Sequence, residues 1–210
     1  MGRRGNTGGL LNELNGKMGI SAPYNSVPVI KLINEHKPRS HEELERLIEY
    51  HHKHDCPCGI KSKGTVYDFG LNLYNAQKEY FKDYLFTLEE CVQWEYDLFI
   101  VNSLKGSLME DEAIKELEKA IGFCKVYKTD RIIDEEYRID IELVSPDWKI
   151  GVQVKPISYR FTNDNVKGMN NTKNCKYDGE IAYLYYDDEG FINVDEIEEK
   201  ARWMKSMKSD

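Results

Sequence analysis

The sequence predicts an α/β protein with an all-helical front half and a small sheet in the back half. Three observations carry that expectation. Up to about residue 100, apolar residues recur at helical spacing between capping signals. Beyond that point, short runs alternate with the period of two expected of strands. Two of those runs are separated by Ser145-Pro-Asp147, which is turn chemistry.

The elements follow in order. Residues 1–22 are rich in Gly and Asn, with Arg3, Arg4 and Lys17 against the single acid Glu13, and read as a flexible, mildly basic arm. Pro28 suits a first helical turn. Ser40-His-Glu-Glu43 is a capping box opening a helix over Glu42–His54, which Cys56-Pro-Cys-Gly59 breaks. Thr65–Tyr84 is aromatic-rich and helical. Thr87-Leu-Glu-Glu90 is a second capping box, with its helix running to Val101. Met109–Ile121 is an amphipathic helix. Phe123–Tyr127, Tyr137–Val144 and Lys149–Pro156 read as strands, Arg160–Asp178 as a polar loop, and Glu180–Tyr186 as a fourth strand. Asn193-Val-Asp-Glu196 caps a final helix. The expected divisions are an arm at 1–22, a helical region at 23–100 and a core at 101–210.

Composition narrows the function. Lys+Arg 29 against Asp+Glu 37 gives a formal net charge of -8, which excludes a general polycationic DNA coat but not a DNA enzyme with localised basic residues. No apolar run reaches the ~18 residues of a membrane span, and Met1-Gly-Arg-Arg4 lacks the apolar stretch of a secretory signal. Five Cys, with only Cys56 and Cys58 close together, fit a reducing cytoplasm better than a disulfide scaffold.

The chemistry concentrates in Arg138–Val144 and Ile150–Pro156. Alternation puts Ile139, Ile141 and Leu143 on one face and Arg138, Asp140 and Glu142 on the other. Ile150, Val152 and Val154 likewise oppose Gly151, Gln153 and Lys155. A hairpin folded about Asp147–Trp148 sets Asp140 beside Lys155. Such a cluster suits metal-assisted phosphodiester hydrolysis. Asp140 supplies anionic oxygen to a hard cation such as magnesium, and Gln153 adds a carbonyl oxygen. Lys155 orients or deprotonates the attacking water, or offsets charge on phosphorus.

Asp140, twelve intervening residues and Gln153-Val-Lys155 resemble the PD-(D/E)XK nuclease motif, with Gln in place of the usual acid. The order of elements is similar too. Asn102-Ser-Leu-Lys-Gly106 followed by Glu110, and Val152-Gln-Val-Lys-Pro-Ile-Ser-Tyr159, are similar to MjaI-type restriction enzymes, which act on CTAG. The resemblance spans residues 97–187. It implies a restriction-endonuclease-like core of helix, mixed four- to five-stranded sheet and helix. It further implies a type II restriction endonuclease: a homodimer that cuts both strands of a specific sequence with magnesium, leaving 5′-phosphates. Asp140, Gln153, Lys155 and Glu110 would be catalytic, with metal on Asp140, Gln153 and either Glu142 or Glu110. Glu110 falls at helical spacing with Ile114, Leu117 and Ile121, toward the sheet. The missing acid lowers the charge of the site, so an inactive descendant stays open, as does a repair or junction nuclease of the same superfamily.

Secondary candidates are each matched by a plainer reading. Arg160, Asn163, Asn165, Lys167, Asn170, Asn171 and Lys173 could read bases and hold phosphate, or form an ordinary polar loop. Arg3 and Arg4 suit a minor-groove arm or a loose terminus. All five His fall between residues 36 and 54, and His51, His54, Cys56 and Cys58 are the expected ligands if zinc binds here. A zinc-containing, non-catalytic nucleic-acid-binding protein is the third alternative. A polar helix end followed by a tight turn is the plainer account of those residues.

Overall fold

The computed structural model describes residues 9–22, 25–162 and 164–207, with the side chains at 131, 135, 164–166 and 169 undescribed. The chain divides into two compact units, at Ser107 and Leu108.

The first unit is helical. Leu10–Met18 (α1) lies inside the segment expected to be a flexible arm, yet Leu11 and Leu14 are buried. Two apolar anchors one turn apart order it, and Gly19 closes it at φ 64. Arg3 and Arg4 lie outside the described residues. Val29–His36 (α2) follows Pro28 as its cap. His41–Lys53 (α3) is capped by Ser40, whose side chain accepts from the Glu43 amide. Val66–Tyr80 (α4) and Leu88–Tyr96 (α5) open on reciprocal capping boxes, Thr65/Asp68 and Thr87/Glu90. A π-helical segment, Asp97–Asn102, carries α5 into Ser103–Ala120 (α6). One core gathers Leu32, Ile33, Leu44, Ile48, Phe69 and Ile100. A second joins Leu11, Leu14, Leu73, Cys91 and Trp94. α4 and α5 approach closely at Gly70, where an added Cβ would lie 2.6 Å from the Val92 Cα.

The second unit holds a four-stranded mixed sheet in sequence order: Lys125–Lys128 (β1), Ile141–Ser145 (β2), Trp148–Pro156 (β3) and Glu180–Tyr186 (β4). The first three strands are antiparallel, and β3 pairs with β4 in parallel. Ala113 and Leu117 of α6, Ile121 just after it, and Ile197 and Ala201 of Val194–Met207 (α9) form one core with Ile141, Leu143, Ile150, Val152 and Leu184. That core covers one face of the sheet, and Gln153 and Lys155 lie on the other.

Four expectations are corrected here. The second strand, expected from Tyr137, begins at Ile141; Tyr137 instead ends helix Arg131–Tyr137 (α7), which starts where the Asp130 side chain accepts from the Ile132 and Ile133 amides. The β2–β3 hairpin pairs Ser145 with Trp148, so it folds about Pro146 and Asp147, one residue earlier than expected. Pro146, lacking an N–H, suits the turn rather than the ladder. The stretch expected as a polar loop holds a 3-10 turn, Ile157–Phe161, and helix Asp164–Asn174 (α8). Ile139 also departs from the expected core face: its Cδ1 occupies the space over Gly151 on the opposite side.

Candidate active site

The register puts Asp140 one step beyond the Ile141–Val152 pair, across from Gln153, and Lys155 reaches it diagonally. Asp140 Oδ2 accepts from the Val154 backbone N–H at 2.7 Å and from Lys155 Nζ at 3.1 Å. Asp140 is 9% exposed, so this pair sits where solvent screens it little. Neighbouring positions of the hairpin thus bring carboxylate and ammonium together even though the register differs from the one expected.

Gln153 is fully buried. Its Nε2 donates to the side-chain oxygen of Asn174 at 2.7 Å, in the amide orientation that also lets Asn174 accept from Tyr183 Oη and donate to the Tyr137 carbonyl. The Gln153 Oε1 has no partner among the described residues. A buried carbonyl oxygen left alone costs about 1–3 kcal/mol, so Oε1 has a lone pair to give to a donor such as water or to a cation.

A cleft of about 150 Å³ opens here, walled by Asp134, Arg138, Asp140, Gln153, Lys155 and Asn170. Arg138 reaches this wall from a left-handed backbone (φ 61) at the end of α7. Neither Asp134 nor Arg138 was singled out as a site residue from sequence: the helix that carries Asp134 was not anticipated, and Arg138 was placed in a strand.

The two candidate extra acids differ. Glu110 has its carboxyl pushed up to about 7, first by burial and then by the charge of Asp140. Lys128, whose Nζ lies 3.2 Å from Glu110 Oε2, pulls the other way, as does Lys155. Glu142 instead accepts a 2.6 Å hydrogen bond from Tyr177 Oη, and this bond adds to burial in raising the tyrosine's pKa. Glu142 is not on the cleft wall.

The expected DNA-contact residues are partly drawn to the same place. Asn170 lines the cleft and donates to Tyr159 Oη at 2.7 Å. Arg160 lies over the Tyr185 ring, 4.3 Å from its centroid, and Lys167 donates to the Arg160 carbonyl. Asn171 is exposed and Lys173 half-buried on α8. Asn163 and the Asn165 side chain lie outside the described residues.

The His/Cys expectation is met in part and corrected in part. His51, Cys56 and Cys58 come together, but the fourth member is His36, from the end of α2. His54 is exposed at the end of α3, with its Nδ1 3.2 Å from the Tyr50 carbonyl and its ring stacked on Tyr50. A hydrogen bond with Cys56 holds the Cys58 thiol above its usual range.

No described helix is long and apolar enough to cross a membrane. No match to the chain is found among curated proteins or solved structures. The sequence model of the MjaI restriction endonucleases, however, matches residues 8–199, nearly the whole chain. The substrate of such an enzyme is DNA. The chain therefore belongs to the MjaI restriction endonuclease family, and is a type II site-specific deoxyribonuclease.

Proposed function

We propose that the chain hydrolyses both strands of a specific DNA sequence, with magnesium, in the cleft walled by α7, β3 and α8. The observation that carries this reading is the unpartnered carbonyl oxygen of Gln153 beside the Asp140–Lys155 pair. An orphaned buried carbonyl next to a carboxylate fits a hard cation, which prefers oxygen ligands. Asp140, through the oxygen not engaged by Lys155, and Gln153, through Oε1, would hold it. Glu110 is the assisting acid, since it feels the charge of Asp140 while Glu142 is committed to Tyr177. When bound, magnesium supplies a Lewis acid toward a non-bridging phosphate oxygen and makes nearby water more acidic.

The chain's own groups do the rest. Lys155 presents its ammonium to the attacking water and offsets the charge that grows on phosphorus. Asp140 fixes Lys155 in that position through the 3.1 Å contact. Arg138, on the cleft wall, receives a flanking phosphate. Asn170, Asn171, Lys167, Lys173 and Arg160 are the base and backbone contacts of α8 and the turn before it, joined by Asn163 and Asn165. Arg3 and Arg4 add a basic arm. The helical unit serves DNA binding or dimerisation. Two copies are required, because cutting both strands of a palindrome needs two sites related by a two-fold axis.

The test is digestion of a sequenced plasmid carrying CTAG sites, the sequence that the resemblance implies, with magnesium or with chelator. Discrete fragments with 5′-phosphate ends, formed only with magnesium, support the reading. Cleavage at branches or at random positions, or none at all, rejects it.

A further inference from the structure

We propose that His36, His51, Cys56 and Cys58 form a second metal centre, a closed structural zinc site that ties the ends of α2 and α3 to the connection before α4. One ligand atom from each of the four lies within 4.8 Å of the others. A zinc tetrahedron of two nitrogens and two sulfurs, with bonds of about 2.0–2.1 and 2.3 Å, has edges of roughly 3.3–3.8 Å. Two separations are already near such edges: His36 Nε2 to His51 Nε2 at 3.2 Å, and His51 Nε2 to Cys58 Sγ at 3.3 Å.

The tautomer of His51 decides between metal and an ordinary polar cluster. Its Nδ1 lies 2.7 Å from the Leu47 carbonyl, so that nitrogen carries the proton and Nε2 keeps its lone pair. A backbone carbonyl orienting the far nitrogen is the support that metal-bound imidazoles use. His51 is fully buried. Its one lone pair faces both His36 Nε2 and Cys58 Sγ, and only one of these can donate to it. A cation resolves the crowding, because all four groups then give electron pairs to one centre.

The chain path is built for it. The Gly59 amide donates to the Cys56 carbonyl at 2.9 Å, and Gly59 sits at φ 72, which a side chain would strain. This turn carries both thiols. The Ser62 amide then donates to the His51 carbonyl at 3.1 Å and draws the connection back onto α3. Two thiolates with two imidazoles select zinc over magnesium or calcium. Four protein ligands leave no open position, which marks a structural rather than a hydrolytic centre.

The test uses the full chain, purified without chelator, and reads metal without DNA. Failure here therefore leaves the nuclease reading standing, and failure of cleavage leaves this site standing. Elemental analysis should give one zinc per chain in the wild type and in His54→Ala. His36→Ala and the double change Cys56→Ser, Cys58→Ser should lose it. Since those variants can misfold, wild-type protein stripped of metal is also titrated with cobalt(II). Intense visible bands with thiolate-to-cobalt charge transfer are expected for a tetrahedral site. Wild-type protein without zinc and without those bands overturns the proposal. Full zinc retention in His36→Ala overturns the ligand set.

Discussion

Replacing Asp140 separates two jobs that one carboxylate performs. Its Oδ2 accepts from the Val154 amide at 2.7 Å and from Lys155 Nζ at 3.1 Å. Asp140→Ala leaves that amide buried beneath the sheet face with no acceptor, which costs about 1–3 kcal/mol of stability. Lys155 is 24% exposed and can turn to water, so it adds little to the loss. Asp140→Asn keeps an oxygen for the amide and should cost less than about 1 kcal/mol. Both variants lose the anion that, on the proposed mechanism, holds the cation and positions the lysine. Each should slow the chemical step by about 10²–10³-fold or more, as losing one preorganised charge-stabilising group does. Urea denaturation gives the stability order, and single-turnover plasmid cleavage in magnesium gives the rates. The reasoning fails if Asp140→Asn cuts within about tenfold of wild type, which is ~1.4 kcal/mol of barrier. It also fails if the two variants are equally stable, because the amide contact would then contribute nothing.

Three further changes probe other parts of the molecule. Gly70→Ala places a Cβ 2.5 Å from Val92 Cγ2 and 2.6 Å from its Cα, so α4 and α5 must shift; stability should fall by about 1–3 kcal/mol, and an unchanged urea midpoint would contradict the close approach. Glu95 is fully buried with both oxygens on Ser21 Oγ, and burial raises its carboxyl from 4.5 to about 7. The folded state thus holds the proton more tightly than the unfolded one, so this group's contribution is intact below pH 4.5 and is lost as pH rises through about 7. Glu95→Gln should remove up to about 3 kcal/mol of that pH dependence, read from denaturation at pH 5 and pH 8, and parallel wild-type and variant profiles would refute it. Gln153→Glu restores an acid at a fully buried position. In chelator its melting temperature should drop by roughly 5–10 °C and recover in magnesium, whereas a melting temperature indifferent to magnesium would argue against a cation at that position.

What the sequence made legible was local chemistry. Ser40 and Thr87 announce their helices because a hydroxyl three residues before an acid satisfies free amides. Glu180–Tyr186 and Lys149–Pro156 announce themselves through apolar runs bounded by turns, and the observed strands differ by one residue at most. Asp130 is a cap of the same kind, but Arg131–Tyr137 is only seven residues long, too short for a helical period to stand out. Hairpin register depends on where a proline falls in the turn, and alternation alone does not fix it. Asp140 and Lys155 still met, because a diagonal pair tolerates that shift. His36 was out of reach for another reason. Its partners lie 15 or more residues on, and only the packing of α2 beside α3 brings it to them; the confinement of every histidine to residues 36–54 was the available hint.

Gln153 is braced by Asn174 and Tyr183, and Tyr183 belongs to the strand that pairs in parallel with β3 across a long excursion of chain. During translation, Asp140 and Lys155 can therefore emerge from the ribosome and form their hairpin before the amide between them has its support. Full assembly waits until about thirty more residues have been made, a delay of a few seconds at ~5–20 residues per second. If the proposed centre is the catalytic one, a nascent chain cannot complete it until the strand carrying Tyr183 is in place.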